Sequence, residues 1–166
     1  LILETDEAFN TFEKIKISDL LVLNVDSDHL DYFKNLDNYK DAFYKVMKNV
    51  TDNLVINNDD LNIKSMKELK NPVSYGKDIS ADFKVQSPGT FIYENNKYEI
   101  KSDIIGDHFK ANMLGAIILA LLNGIEIKDS LNAIESFAGV KRRIELIGIS
   151  KGVLIYDDYG HHPTEM

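Results

Sequence analysis

The sequence predicts an α/β fold, with a mostly parallel β-sheet, flanking helices, a small antiparallel sheet and a C-terminal β-hairpin. Asp19–Asp26 is an aliphatic run bounded by polar residues, which is typical of a parallel strand covered on both faces. Apolar residues recur at helical spacing between residues 38 and 50, and Asn53–Asn57 is a second short buried strand. A strand, a helix and a strand in succession indicate a βαβ unit with parallel strands.

Turn residues and changes in periodicity predict the remaining elements. Leu1–Glu4 has the composition of the end of a buried strand. Between residues 72 and 102, short alternating strands separated by Pro-Gly and Asn-Asn turns predict an antiparallel sheet appended to the parallel one. Gly106–Gly124 is predicted to be a buried helix, because it is apolar nearly all round and ends in Asn-Gly. A second helix over 127–137 and a hairpin over 143–157 follow it.

Composition and charge limit the class of protein. With 166 residues, of which 44% are hydrophobic, the chain can bury the core of one ordinary domain. A net charge of −8 argues against a nucleic-acid partner, since neutralising phosphates needs a broad basic face. The longest apolar run, Met113–Leu122, is about half of a bilayer span, and no signal peptide is visible. With the lack of cysteine, these features predict a cytoplasmic protein without a membrane partner, and its oligomeric state stays open.

Acidic residues follow two of the predicted strands. Asp26–Asp31, with the sequence Asp-Ser-Asp-His-Leu-Asp, lies at the exit of the first long strand, and Glu4–Glu7 follows Leu1–Leu3. Ligands gather beyond the carboxyl ends of parallel strands, so a divalent cation or a phosphate is one interpretation. The alternative interpretation is an ordinary solvated loop, because such acidic loops are common and imidazole is not a favoured ligand of Mg²⁺.

The two arginines of the chain, Arg142 and Arg143, are adjacent, whereas every other basic side chain except histidine is a lysine. A planar guanidinium binds a carboxylate or a phosphate through two parallel hydrogen bonds, which an ammonium group cannot do. The pair therefore indicates recognition of an oxyanion, with a solvated basic strand end as the alternative.

The residues around these arginines resemble the signature of the Mur ligases. Gly139–Glu145 reads Gly-Val-Lys-Arg-Arg-Ile-Glu, and Val153–Glu165 ends in Asp-Asp-Tyr-Gly-His-His-Pro-Thr-Glu. Asn24–Asp31 is similar to the family's Asn-x-x-x-Asp-His-x-Asp, and Gly106–Asn112 to its Gly-x-His-Asn-x-x-Asn. The resemblance covers nearly the whole chain and implies the family's α/β central domain.

The resemblance implies a magnesium site at the acidic strand ends. His29 stands where the family has a histidine that binds Mg²⁺ and takes part in catalysis. The segment Leu3–Glu7 is similar to the family's Glu-x-Asp-Glu, whose first glutamate shares the metal. On this basis Glu4, rather than Glu7, is the expected second ligand.

The resemblance also implies residues that bind the nucleotide. Asn112 matches an asparagine that reads the base, while Phe109 stands where the family has another asparagine, which puts one base contact in doubt. Arg143 matches the catalytic arginine that reaches the phosphates. Asp158 matches the aspartate that holds the ribose hydroxyls, and Tyr159 lies in the same loop.

The activity implied by the resemblance is an ATP- and Mg²⁺-dependent ligation. A member of this kind phosphorylates the carboxylate of UDP-N-acetylmuramate, and the amine of L-alanine then attacks the acyl phosphate. A ligase of the same family that reattaches recycled murein tripeptide is one alternative. A non-catalytic α/β binding module is a second alternative of a different class.

One element of the family pattern is missing from the sequence. No Gly-x-x-x-x-Gly-Lys-Ser/Thr loop occurs, and Gly76-Lys77 is followed by Asp78. We therefore expect the chain to begin within the ATP-binding central domain and to be inactive alone. Residues 1–140 are predicted to be the later part of that domain, and residues 141–166 the start of a C-terminal domain.

Overall fold

Short aliphatic strands that are covered on both faces build the centre of the fold. The structure is a computed structural model and describes residues 1–5, 7–66 and 69–161. Its strands are β1 (Asp19–Val22), β2 (Asn53–Asn57), β3 (Val73–Gly76), β4 (Phe83–Ser87), β5 (Thr90–Tyr93), β6 (Asn96–Glu99), β7 (Glu145–Ser150) and β8 (Val153–Asp157). Its helices are α1 (Leu30–Phe33), α2 (Leu36–Lys48), α3 (Leu61–Lys64), α4 (Asp107–Leu122) and α5 (Ile127–Glu135), with a 3₁₀ helix at Ala8–Lys14.

Six strands form one sheet in the order β1-β2-β3-β4-β5-β6. The pairs from β1 to β4 are parallel, and the pairs β4-β5 and β5-β6 are antiparallel. The predicted α/β class with a mostly parallel sheet is therefore confirmed. The antiparallel strands extend the parallel sheet instead of forming a separate one, because Tyr75 and Gly76 of β3 pair with Phe83 and Lys84 of β4.

The sheet separates two hydrophobic cores, as the alternation of side chains along β2 shows. Leu54 and Ile56 point to a core that they share with α2, including Val46 and Met47. Val55 points to the opposite core, with Tyr75, Phe83 and Phe91 from the sheet and Met113, Leu114, Ile117 and Ile118 from α4. Successive side chains of a strand point to opposite faces, so a strand this apolar needs cover on both.

Helix α4 confirms the prediction of a buried helix that ends in Asn-Gly. Its C-terminus is closed by hydrogen bonds from the backbone N–H of Asn123 and of Gly124 to carbonyls of the last turn. Gly124 has φ +84°, a left-handed conformation that glycine adopts without a Cβ penalty. None of the helices in the described ranges is long and apolar enough to cross a bilayer.

The two ends of the described chain differ in how well the sequence predicted them. The hairpin β7-β8 is confirmed, with Glu145 paired to Asp157 and Ser150 to Val153. Its apolar side chains, such as Ile149 and Leu154, are exposed. The predicted strand at Leu1–Glu4 is wrong, because residues 1–5 pair with no strand in the described ranges and Leu1–Leu3 are exposed. The boundary near residue 140 between two domains stays a prediction.

Candidate functional site

Three acidic or imidazole side chains meet beyond the carboxyl end of β1. One ligand atom from each of Glu7, Asp28 and His29 lies within 4.8 Å of the others, the one such group among the described residues. His29 Nε2 lies 3.9 Å from Glu7 Oε1 and 3.9 Å from Asp28 Oδ2. Two carboxylates with one imidazole are a donor set that a divalent cation accepts, and the carboxylate oxygens suit Mg²⁺ or Mn²⁺.

The backbone at His29 is held in an uncommon conformation by the loop before it. His29 has φ 50° and ψ 34°, and it is the N-cap of α1. Asp28 Oδ1 accepts a hydrogen bond from His29 N at 2.6 Å, and Asp26 Oδ1 accepts one from Ser27 N at 2.7 Å. A left-handed conformation is rare for a residue with a Cβ, and such residues concentrate at functional sites. The aspartates before His29 therefore satisfy backbone N–H groups of the loop that carries it.

Glu7 is supported from the core by Tyr39 of α2. The Tyr39 hydroxyl donates a hydrogen bond of 3.0 Å to Glu7 Oε1, and the ring of Tyr39 is buried. Burial, and next the charge of Glu7, raises the pKa of Tyr39, so the hydroxyl stays protonated and acts as a donor. The carboxylate is thereby fixed at the point where it faces His29.

Side chains that follow β2 hold the loop that follows β1. Asp60 Oδ1 accepts from Ile63 N at 2.8 Å and caps α3, while its Oδ2 accepts from Val25 N at 3.3 Å. Asn62 Nδ2 donates to Val25 O at 2.6 Å. These contacts give the loop before Asp28 and His29 a fixed shape, because backbone polar groups of Val25 are paired with side chains that follow β2.

The structure does not bring the two predicted metal ligands, Glu4 and His29, into one group. His29 lies in the group, and Glu7 and Asp28 accompany it. Glu4, the carboxylate that the resemblance favoured, lies in the exposed coil of residues 1–5 and is not a member of the group. Glu4 therefore stays an expectation of the family resemblance, and Glu7 is the glutamate that lies beside His29.

A cavity of about 220 Å³ lies at the N-terminus of α4. Its walls come from the ends of β2 and β3, the β4-β5 turn and the first turns of α4; they include Asn57, Asp59, Tyr75, Lys77, His108, Lys110 and Leu114. The Tyr75 hydroxyl is buried and has no hydrogen-bond partner within the described ranges, and burial raises the pKa of Tyr75. The cavity wall thus includes a buried tyrosine, with charged side chains such as Asp59 and Lys77 beside it.

The predicted nucleotide residues lie at two places, in α4 and after β8. Asn112 is half-buried in the second turn of α4, and Phe109 packs against the core of that sheet face. Asp158 and Tyr159 directly follow β8, at the end of the hairpin.

Arg143, Asp158 and Tyr159 form a small cluster beside the hairpin. The guanidinium carbon of Arg142 lies 4.6 Å from the centroid of the Tyr159 ring, and that of Arg143 lies 6.0 Å from it. The backbone N–H groups of Gly160 and Ile144 donate to Asp158 and, with Arg143, lower the pKa of Asp158. His162, Glu165 and the other residues 162–166 of the signature lie outside the described residues.

Sequence reasoning missed the supporting residues of the site. Asp28 directly precedes His29 in the sequence, so its presence beside His29 could have been predicted from the sequence alone. Tyr39 gave a weaker signal, a single hydroxyl on the otherwise apolar face of α2 that also holds Ala42 and Val46. Tyr75 gave no signal in the sequence, because the residues around it do not distinguish it from any other aromatic residue of the core.

The mostly parallel sheet, with the acidic group and the cavity at the carboxyl ends of its strands, defines an α/β domain of the kind that binds ligands at that edge of the sheet. The family model described as "Mur ligase middle domain" matches residues 7–120. The chain therefore belongs to the Mur ligases, as the resemblance implied.

Individual relatives agree with this family. The UDP-N-acetylmuramate–L-alanine ligase of Dictyoglomus turgidum is 36% identical, over all of this chain and 39% of its own length. The crystal structure of the UDP-N-acetylmuramate-alanine ligase MurC of Thermotoga maritima matches with a TM-score of 0.74 and 25% identity, covering 94% of this chain and 38% of its own. The MurF ligase of the same organism in complex with ADP gives a TM-score of 0.63 at 22% identity, covering 90% of this chain and 37% of its own. The chain thus spans about two fifths of the relatives it matches.

Proposed function

We propose that this chain is part of an ATP-dependent ligase that joins L-alanine to UDP-N-acetylmuramate. The observation that carries the proposal is the 36% identity, over the whole chain, to a ligase with that name. The cation group beyond β1 and the cavity at α4 support it, because both lie where an α/β domain binds a nucleotide. Since ATP and a nucleotide-linked sugar are compounds of the cytoplasm, we place the protein there.

The reaction that we propose has two steps. The muramoyl carboxylate attacks the γ-phosphorus of ATP, which forms an acyl phosphate and releases ADP. The uncharged amine of L-alanine then attacks the acyl carbon, and phosphate leaves as the amide forms and the amine loses a proton. Carboxylate, ATP and leaving phosphate are all anionic, so the site has to lower the repulsion among them.

The residues of this chain would divide that task. Glu7, Asp28 and His29 would hold Mg²⁺, which supplies positive charge next to the phosphates; Glu4 stays a candidate from the family resemblance. Arg143 would bind the phosphoryl group during transfer through its planar guanidinium.

The nucleotide would be held between α4 and the segment after β8. Asn112 would contact the base, and we place the base at the mouth of the adjacent cavity. Asp158 would accept hydrogen bonds from the ribose hydroxyls, since each of its oxygens has acceptor capacity beyond one backbone N–H. Tyr159 would line the same loop.

The test is a ligation assay on a protein that carries this chain within the full length of its relatives. It contains ATP, Mg²⁺, UDP-N-acetylmuramate and either L-alanine or the murein tripeptide, and mass spectrometry identifies the product. We expect the L-alanine amide and ADP. Amide formation only with the tripeptide would indicate the recycling ligase, and nucleotide binding without turnover would indicate a binding module. For the 166-residue chain alone we expect no turnover, because it has no phosphate-binding Gly-Lys-Ser/Thr loop.

A further inference from the structure

We propose that Arg142 is a positioning residue of the proposed nucleotide site. By stacking on Tyr159, it holds Arg143 and Asp158 at a fixed spacing. The inference rests on the proposed function, because that function assigns Arg143 to the phosphates and Asp158 to the ribose. It starts from two contacts between Arg142 and Tyr159. The guanidinium carbon lies over the ring, 4.6 Å from its centroid, and the carbonyl of Arg142 accepts a hydrogen bond of 2.8 Å from Tyr159 N.

The backbone on both sides of Arg143 is held in an uncommon conformation. Arg142 has φ 60° and Ile144 has φ 49°, values that are rare for a residue with a Cβ and rarer still for a β-branched one. Arg142 N donates a hydrogen bond of 2.8 Å to Glu145 Oε2, and Ile144 N donates one of 2.7 Å to Asp158 Oδ2. Such conformations persist only where surrounding contacts fix them, and they concentrate at functional sites.

Two hydrogen bonds cross the open end of the hairpin, where the chain enters β7 and leaves β8. Tyr159 N donates to the carbonyl of Arg142, and Ile144 N donates to the carboxylate of Asp158. Arg143 is the residue between these two crossing points, and Asp158 takes part in one of them and adjoins the other. The spacing between Arg143 and Asp158 therefore depends on both crossing points.

The crossing point at Tyr159 is supported by side chains. The residue is 50% exposed, so the protein core does not fix its ring. Of the two guanidinium groups, that of Arg142 is the nearer, at 4.6 Å from the ring centroid against 6.0 Å for that of Arg143. A cation is attracted to the face of an aromatic ring within about 6 Å, and a planar guanidinium stacks on the ring as an ammonium group cannot. Arg142 therefore supports Tyr159, whereas Arg143 is the arginine assigned to the phosphates.

The experiment measures ligation kinetics with varied ATP, in the protein that carries this chain within the full length of its relatives. The variants are Arg142→Ala, Arg142→Lys and Tyr159→Leu, with Lys141→Ala as the control for loss of a positive charge in the same segment. We expect Arg142→Ala and Tyr159→Leu each to lower kcat/KM for ATP by about two- to fivefold, the effect of one exposed cation–π contact. Arg142→Lys should have a smaller effect. The KM for UDP-N-acetylmuramate should not change in the arginine variants, and Lys141→Ala should match the parent.

A double variant separates the stack from other roles of the two residues. Once Tyr159→Leu has removed the ring, Arg142→Ala should lower kcat/KM for ATP no further, because both changes remove the same contact. A second loss as large as that of the single variant overturns the inference. Unchanged kcat/KM for ATP in Arg142→Ala, or an equal loss in Lys141→Ala, also overturns it and leaves the proposed function in place. A parent protein that forms no amide overturns the proposed function, and the inference with it.

NMR of the 166-residue chain tests the stack without kinetics. The δ-protons of Arg142 should be shifted upfield by the Tyr159 ring, more strongly than those of Arg143, which lies further from the centroid. Tyr159→Leu should abolish this shift. If the Arg142 protons of the parent resonate at the positions of an unstructured arginine, the inference is wrong. This measurement decides the matter if Arg142→Ala does not fold.

Discussion

Asp158 closes the base of the hairpin by accepting a hydrogen bond of 2.7 Å from the backbone N–H of Ile144, fourteen residues earlier. Its other carboxylate oxygen accepts from Gly160 N at 2.6 Å. The residue that the family resemblance assigns to ribose binding therefore also holds the loop that carries it. Two backbone N–H groups thus fix the orientation of the carboxylate.

Replacing Asp158 with alanine should release this loop. Without the carboxylate, the N–H groups of Ile144 and Gly160 lose their acceptor, so we expect faster hydrogen exchange at both amides. Asp157→Ala, one residue earlier in β8, is the control and should leave them unchanged. Equal acceleration by both variants would contradict the role given to Asp158.

The same hydrogen bonds make the loop sensitive to acid. Backbone N–H groups lower the pKa of Asp158 below its ordinary value of 3.8, so its ionised form is favoured in the folded loop. The stabilisation is present above that ordinary value and is lost as the pH falls through the lower folded value. We expect the amide shifts of Ile144 and Gly160 to titrate together below pH 3.8 in NMR spectra. If the amides titrate above pH 3.8, or if the Asp158 carboxyl does not titrate with them, the transition does not come from Asp158.

Phe91 of β5 tests whether the antiparallel strands belong to the main core. It is 0% exposed and lies in the same cluster as Val55 of β2 and Ile117 of α4. We expect Phe91→Ala to lower the free energy of unfolding by about 3–5 kcal/mol, as for large-to-small changes in a core. Urea denaturation measures the change, and Phe137→Ala, whose ring is 45% exposed, is the control. A loss similar to that of the control would mean that β5 packs independently of the parallel sheet.

Gly115 marks the closest approach of α4 to the sheet. A Cβ built on it would lie 2.8 Å from Leu21 Cδ1 and 3.2 Å from the Tyr75 hydroxyl oxygen. We expect Gly115→Val to lower the free energy of unfolding by about 1–3 kcal/mol, because extra atoms overpack this contact. Valine is a better helix former than glycine, so a loss at residue 115 reports the contact alone, and the exposed Ala116→Val shows the propensity cost of valine in the same turn. A Gly115→Val protein as stable as the parent would show that the contact tolerates a side chain.

Asp60, which follows β2, also contacts the loop that follows β1 and leads to His29. Because its carboxylate caps α3 and also accepts from Val25 N, Asp60→Ala should lower the free energy of unfolding by about 1–2 kcal/mol. The exposed Asp52 is the matched control for removal of an acidic side chain. Mn²⁺ binding should weaken as well, since Val25 lies in the loop that leads to His29. If the Asp60→Ala variant is less stable but binds Mn²⁺ as tightly as the parent, the role of Asp60 is only to cap α3.

The sequence by itself determined the order of most elements and the family. The aliphatic run at Asp19, the apolar stretch of α4 with its Asn-Gly end and the hairpin around Lys151 are local patterns, and local hydrogen bonding and periodicity decide them. The motifs around His29 and Arg143 identified the Mur ligases, because short sequence matches require no knowledge of the fold.

Only the tertiary structure decided which side chains meet. The family motif favoured Glu4, and only the structure shows that the buried hydroxyl of Tyr39, 32 residues beyond Glu7, donates a hydrogen bond to Glu7. The continuity of the parallel and antiparallel strands likewise depends on the pairing of Tyr75 with Phe83. Such contacts join residues that are distant in the chain, and their free energy depends on the packing of both partners, which no local pattern specifies.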